Sequence, residues 1–234
     1  MSKKSKSESF YVKVVKRVAD IIIALIAMPF LAIIVAVVGI AIKLEDGGPI
    51  FYKAKRIGKN SVIFNMYKFR SMIVDAPNWT NADGSTYNSS SDTRVTKVGK
   101  FIRRTSIDEL PQLINVLIGN MTLIGPRASG AGALDSYEED EKPKMNVKPG
   151  ITGYTQAYYR NSIGVREKRL YDAWYAQNVS LWLDIKIFFK TIAVVLKSEN
   201  VYTNAADDTA ATEISAQAEA VTSEQEADKE LVNK

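Results

Sequence analysis

Apolar positions run unbroken near the start of the chain: residues 21–42, IIIALIAMPFLAIIVAVVGIAI, carry no charge. As a helix this stretch would reach about 33 Å, enough to cross the hydrocarbon core of a bilayer. A cleaved signal peptide fits less well, because the run is too long and no small-residue cleavage site follows it. Lys3, Lys4, Lys6, Lys13, Lys16 and Arg17 precede the run, while Lys43, Lys53, Lys55, Arg56 and Lys59 follow it. The positive-inside rule therefore draws both flanks to the cytoplasm, which a helix spanning once cannot satisfy. Pro29 removes a backbone hydrogen bond inside the run and kinks it, so a re-entrant helix over residues 18–44 reconciles the charges. A kinked single span is the alternative.

Beyond residue 45 the pattern shortens. Residues 49–52 and 62–67 read as strands about the turn residues Gly58, Lys59, Asn60 and Ser61. Residues 75–91, rich in Asn, Ser, Thr and Gly, read as a surface loop. Leu110, Leu113, Ile114, Leu117 and Ile118 keep helical spacing and predict a helix with one buried face, closed by Gly119 and Gly125-Pro126. Pro149-Gly150 and Gly153 signal another loop. Residues 181–196 predict an apolar helix with a thin polar side, packed in the core or lying in a membrane interface. The tail from Ala205 has little apolar content and reads as disordered.

Charge sharpens this picture. The net +5 combines an acidic tail, with eight acidic and two basic residues in 205–234, and a body carrying 29 basic against 18 acidic residues. Such a body favours phosphate, whether on nucleic acid, on an anionic membrane or on small molecules. The chain contains no His and no Cys, which excludes Ser-His-Asp and Cys-His catalysis, disulfides and the usual zinc sites. Catalysis must then rest on Asp, Glu, Lys, Arg, Tyr or Ser, and any metal is a hard cation bound through oxygen.

The densest chemistry lies in residues 92–127, where Arg103, Arg104, Asp108 and Glu109 fall close together ahead of the amphipathic helix. Ser106 and Glu109 have capping-box spacing, but Pro111 would then sit inside the helix; with Asp108 as the cap it falls in the tolerant first turn. Pattern alone leaves open both a helix cap and a reaction centre. Neighbouring helical carboxylates do not face one another, so separate roles suit them better than a straddled glycosidic bond. A carboxylate needs no base to attack phosphorus, and a second one can hold magnesium on a leaving diphosphate. Lys68 and Arg70 share a face by strand alternation and could clamp a diphosphate; a solvated edge is the plainer reading. Arg127 and Arg160 follow Gly-Pro and Pro-Gly turns.

Taken in order, these segments resemble the bacterial sugar transferase family of monotopic phosphoglycosyltransferases. The resemblance rests on Lys16-Arg17 with Asp20, Gly48-Pro49 with Phe51, Arg56 with Gly58, KFRSM at 68–72, SIDELPQLINVL at 106–117, IGPR at 124–127 and PGITG at 149–153. It covers roughly residues 10–200. It implies an α/β fold, a compact catalytic domain over 45–204 with a re-entrant N-terminal helix and amphipathic interfacial helices, preceded by a basic segment 1–17. It also implies transfer of a sugar phosphate from a UDP-sugar to undecaprenyl (polyprenyl) phosphate with release of UMP, through an aspartyl phosphosugar, on the cytoplasmic face of a bacterial membrane. Such a step begins exopolysaccharide, capsule or other glycoconjugate synthesis, with Mg2+ as cofactor. By motif position Asp108 is the nucleophile and Glu109 the metal- or phosphate-organising acid, with Lys68, Arg103, Arg127 and Arg160 on substrate; Arg70 joins the substrate-binding set by its strand alternation with Lys68. A second copy of the chain, membrane lipid and downstream glycosyltransferases are the further partners implied; nucleic acid is not.

Three positions depart from the family pattern: Met28 before Pro29, Asn120 in place of an acidic residue, and Ala128 in place of a proline. None touches the proposed nucleophile. Two rival readings stay open at this level, a membrane-anchored binder of phospholipid or nucleic acid and a direct glycosyl transferase releasing UDP.

Overall fold

A computed structural model describes residues 9–79 and 87–197; the acidic tail lies outside them. A π-helical turn, Tyr11–Val15, leads into α1, Lys16–Asp46, which continues through Pro29. By length and composition α1 with its leading turn could cross a membrane, and only 17% of its most apolar stretch is buried, unlike a soluble core helix. Its buried side chains Asp20, Ala24, Leu31, Val38 and Ile42 recur at spacings of four and seven, which lie on one helical face with the buried Gly39 beside Val38. Ile22, Ile26, Phe30, Ile33, Val37, Ile40 and Leu44 are exposed.

That buried face packs on the globular body along the helix. Ala24 and Leu31 join Ala54, Met66, Leu113, Val116 and Met121, while Val38 and Ile42 join Phe69 and Ile102. Polar clasps fix both ends. At the start, Arg17 donates to the carbonyls of Val116 (2.6 Å) and Leu117 (3.1 Å), and Asp20 accepts from the Thr122 hydroxyl (2.6 Å) and the Leu123 N–H (3.0 Å). At the other end Asp46 pairs with Arg70, and Glu45 accepts from the N–H groups of Lys97 (2.6 Å) and Val98 (3.1 Å).

The body is a mixed α/β arrangement with two small sheets. Strands β1, Phe51–Ile57, and β2, Ile63–Phe69, form an antiparallel hairpin running from Phe51↔Phe69 to Ile57↔Ile63. Its turn holds Asn60 and Ser61 at positive φ, as the Gly58 to Ser61 composition leads one to expect. Strand β1 extends well past the expected 49–52, because cross-strand pairing outweighs the poor strand propensity of its charged residues. Strands β3, Thr122–Ile124, and β4, Gly150–Thr152, pair in parallel. A Cβ on Gly150 would lie 2.1 Å from the Gly125 nitrogen, so bare glycine is what allows these backbones to meet.

Helices α2, Lys97–Arg104, and α3, Gln112–Ile118, flank the hairpin, followed by α4, Tyr154–Tyr158, α5, Val165–Gln177, and α6, Leu181–Lys197. Helix α3 starts two residues later than its apolar spacing implies and ends at Gly119, in left-handed conformation. Helix α6 packs Ile187 and Val194 into the interior, as one of its two expected placements requires, and leaves Trp182, Phe189 and Leu196 exposed. The segment expected as a surface loop over 75–91 is partly interior; residues 80–86 lie outside the described set, but Tyr87 and Ser89 are buried. Arg94, paired with Asp92 at 2.7 Å, stacks on Trp79 and Tyr87 and draws that segment inward.

Candidate active site

The site forms where β2 meets the turn before α3. Asn115, fully buried on α3, accepts from the Tyr67 N–H at 2.9 Å and donates to the Asn65 carbonyl at 2.7 Å. One side chain thus ties β2 to α3 and fixes Lys68 beside the segment ahead of that helix. Ser106 adopts φ 58°, and the chain then makes a 3-10 turn, Ile107–Glu109. Neither capping pattern foreseen for this region forms: Ser106 makes no side-chain cap bond, and Pro111 occupies the cap position of α3. The carboxylates of Asp108 and Glu109 are therefore free of helix-capping duty.

Lys68 stands between them, with Nζ 2.7 Å from Glu109 Oε1 and 3.8 Å from Asp108 Oδ2. Arg127 reaches Glu109 Oε1 at 3.5 Å. Arg103 donates from Nε to the Ser71 hydroxyl at 2.9 Å and acts on the Asp108 charge. That placement needs α2 pressed against Ser71, where a Cβ on Gly99 would lie 2.0 Å from the Ser71 carbonyl oxygen. Arg160, at φ 48°, donates to Ser106 Oγ at 3.4 Å and acts on the Glu109 charge. Four of the five basic residues picked out by the sequence thus surround the two acids.

Arg70 does not join them. Its buried guanidinium is spent on Asp46 and on the carbonyls of Pro49 (2.7 Å) and Met72 (2.9 Å). The expected Lys68 and Arg70 clamp fails because the strand ends at Phe69, and Arg70 turns to lock the end of α1 instead.

The two acids are electrically unlike. Burial raises the Asp108 carboxyl above the usual range, and Glu109 adds to this, against the opposing pull of Lys68, Arg103 and Arg127. Glu109 is also desolvated, but Lys68, Arg127 and Arg160 outweigh the burial and hold it at about 2. The pair titrates as a unit in which Glu109 ionises first.

A buried carboxyl of raised proton affinity beside an ionised acid, ringed by cations, is an arrangement for handling phosphate. Residues 11–198 match the family model described as bacterial sugar transferase. The chain belongs to this family. It is 36% identical over 208 residues to an undecaprenyl-phosphate galactose phosphotransferase of Salmonella typhimurium, covering 84% of this chain and 43% of that protein. It is 40% identical over 188 residues to a UDP-N-acetylgalactosamine-undecaprenyl-phosphate N-acetylgalactosaminephosphotransferase of Aeromonas hydrophila, covering 78% and 44% respectively. An uncharacterized sugar transferase of Bacillus subtilis is 39% identical over 188 residues, 80% of this chain and 90% of that protein. The chain spans less than half the length of the first two.

The sequence marks Lys16 and Arg17 as part of a basic flank and, with Asp20, as family landmarks; the structure gives all three a mechanical role. Lys16 donates to Asp184 at 2.5 Å, and Asp184 also accepts from the hydroxyls of Tyr11 (2.7 Å) and Tyr175 (2.6 Å). Asp184 was not foreseen. A single acid in the largely apolar α6 was the signal available.

Among the described residues no three Asp, Glu, His or Cys side chains converge as a metal site. The two adjacent carboxylates are hard oxygen donors, and magnesium commonly takes one or two such ligands and completes its shell from phosphate and water. The donor set therefore suits magnesium only in company with a phosphorylated substrate.

Proposed function

We propose that this chain transfers a sugar phosphate from a UDP-sugar to undecaprenyl phosphate, giving UMP and a polyprenyl diphosphosugar. The observation that carries the reading is the Asp108–Glu109 pair held among Lys68, Arg103, Arg127 and Arg160, beside a helix with an apolar exposed face.

In this reading an ionised Asp108 oxygen attacks the β-phosphorus of the donor. The bond from that phosphorus to the bridging oxygen breaks, and UMP departs with the electron pair. An oxygen of the carrier phosphate then attacks the aspartyl phosphosugar and returns Asp108 as a carboxylate. Lys68 and the arginines hold the phosphate oxygens as charge moves, and Glu109 keeps Lys68 in place. Magnesium, held by Glu109 with phosphate oxygens, would supply further positive charge at the leaving phosphate. UMP release from a panel of UDP-sugars with polyprenyl phosphate tests this. Release of UDP instead would mean direct glycosyl transfer, and no release together with salt-sensitive nucleic-acid binding would mean a binding protein.

Lys68→Met lowers kcat/KM roughly 10²–10³-fold, the usual cost of losing one well-placed charge donor. The sign of its pH effect follows from the neighbours. Lys68 lowers the Asp108 pKa, so its removal lifts that pKa further, and the acid limb of the pH profile moves to higher pH. An acid limb that stayed in place would separate Lys68 from Asp108.

We also propose that α1 is re-entrant and that the catalytic body faces the cytoplasm. Both ends of α1 are clasped to one body, which supports placing them on the same side of the membrane, as the two basic flanks require. Cysteines introduced at Ser9 and Asn60 should be labelled by an impermeant reagent from the cytoplasmic side alone. Labelling from opposite sides would make α1 a spanning helix.

A further inference from the structure

Arg56 stands apart from the cations named so far. It lies on β1 opposite Phe64, and β1 there bridges to Gly130, with the Ile57 N–H donating to the Ser129 carbonyl at 2.9 Å. Its guanidinium fills the space over Gly130, where a Cβ would come within 3.1 Å of Nη1. Arg56 lies near enough to Arg127 for the two charges to repel, and Arg127 itself reaches Glu109.

Two observations leave this group unexplained by the fold. Its Nε is a buried donor with no hydrogen-bond partner among the described residues. A donor in that state costs stability unless something else takes the hydrogen bond. Its neighbourhood is also unfavourable: burial and then the Arg127 charge act against its own charge, while Tyr52 and Glu109 favour it. Arg127 has Glu109 as its counter-charge, but the buried Arg56 Nε has no acceptor among the described residues.

We infer that Arg56 is a substrate-positioning residue that, together with Arg127, binds a phosphate group at the site of Asp108 and Glu109. The inference rests on the proposed function and adds a contact to it. The ligand chemistry is a phosphate oxygen accepting from the planar N–H fork, and the phosphate belongs either to the nucleotide diphosphate or to the lipid carrier. Arg56 belongs to a short motif with Gly58.

The test uses the purified full chain and Arg56→Met. UMP release is measured with the UDP-sugar and the polyprenyl phosphate varied in turn, and melting is followed with and without added UMP. A donor contact raises the KM for UDP-sugar roughly 10–100-fold, and it also removes the UMP-induced rise in melting temperature when the phosphate held is the one that UMP retains. A carrier contact raises the KM for polyprenyl phosphate alone by a similar factor and leaves the UMP effect intact. In either case the ligand-free protein melts at or above the parent temperature, since the idle buried donor is gone. Unchanged KM values overturn the inference, whether or not the melting temperature falls. If Arg56→Met does not fold, Arg56→Gln decides by the same readings. Failure of the proposed function is separate: the parent chain would then release no UMP with any donor, while loss of the UMP-induced melting shift in the variant would still report Arg56 on phosphate.

Discussion

Asp108→Asn abolishes UMP release, by roughly 10⁴-fold or more, while the protein remains folded and melts no lower than its parent at neutral pH. The two halves of this expectation have one cause. Asparagine keeps the shape of the side chain but offers no anionic oxygen to phosphorus, so neither attack nor aspartyl phosphosugar is possible. The same exchange removes a buried carboxylate whose charge the fold disfavours. Asp108 binds its proton more tightly in the folded chain than an exposed aspartate does, so its contribution to stability is present below the ordinary carboxylate pKa and is lost as pH rises through the folded value. At neutral pH the parent bears that penalty, whereas the amide does not. Glu109 also loses an adjacent like charge and keeps its 2.7 Å contact with Lys68. UMP release and a melting curve at two pH values check the prediction. Normal release would remove Asp108 as nucleophile, and a large drop in melting temperature would show that its loss acts through the fold.

The largest effect on stability is expected at Asp184, far along the chain from the Asp108–Glu109 pair. Asp184→Ala leaves the ammonium of Lys16, whose side chain is 11% exposed, without its counter-charge, and takes from the Tyr11 and Tyr175 hydroxyls their bond to Asp184. Breaking a buried pair from one side costs about 3–5 kcal/mol, mostly the penalty of the orphaned charge. For a chain of this size that corresponds to a fall in melting temperature of roughly 6–20 °C. The double variant Lys16→Met with Asp184→Ala should recover part of the loss, because no uncompensated ammonium remains. A single variant that melted within 2 °C of the parent would make the clasp dispensable. The start of α1 should also become more open to proteolysis, since Lys16 and Tyr11 hold it on α6.

This clasp bears on how a largely apolar helix is held in register with a charged catalytic body. Hydrophobic packing along α1 tolerates sliding, because one aliphatic side chain replaces another at similar cost. Arg17 on two helix-terminal carbonyls, Asp20 on Thr122 and Leu123, and Arg70 on Asp46 do not tolerate it. Polar contacts set the register and apolar ones supply the area. The exposed face of α1 and the exposed Trp182, Phe189 and Leu196 of α6 remain available to lipid.

The relatives differ in the sugar that their names state, galactose in one and N-acetylgalactosamine in another, at 36% and 40% identity to this chain.

Much was legible without coordinates because it depends on local or compositional physics. A charge-free run of 22 residues must find an apolar environment, and basic residues on both sides restrict its topology. The helical spacing of Leu113, Ile114 and Leu117, the hairpin turn at 58–61 and the absence of His and Cys are likewise properties of the chain alone. So is the ordered set of motifs that marked Asp108 and Glu109. What the linear pattern could not supply was the partner of each charge. Lys68 and Arg70 lie two residues apart, yet one meets Glu109 and the other Asp46, because the strand ends between them. Asp108 and Glu109 are neighbours with opposite shifts, because burial dominates at one and three cations dominate at the other. The pair read first as a possible helix cap proved to lie on a 3-10 turn stabilised by contacts from β2 and from residues 127 and 160. Sequence alone determined which residues could do chemistry and where apolar surface had to be hidden. Tertiary structure alone decided which charges meet, since electrostatic energy depends on distance in space and on burial, and neither is a function of separation along the chain.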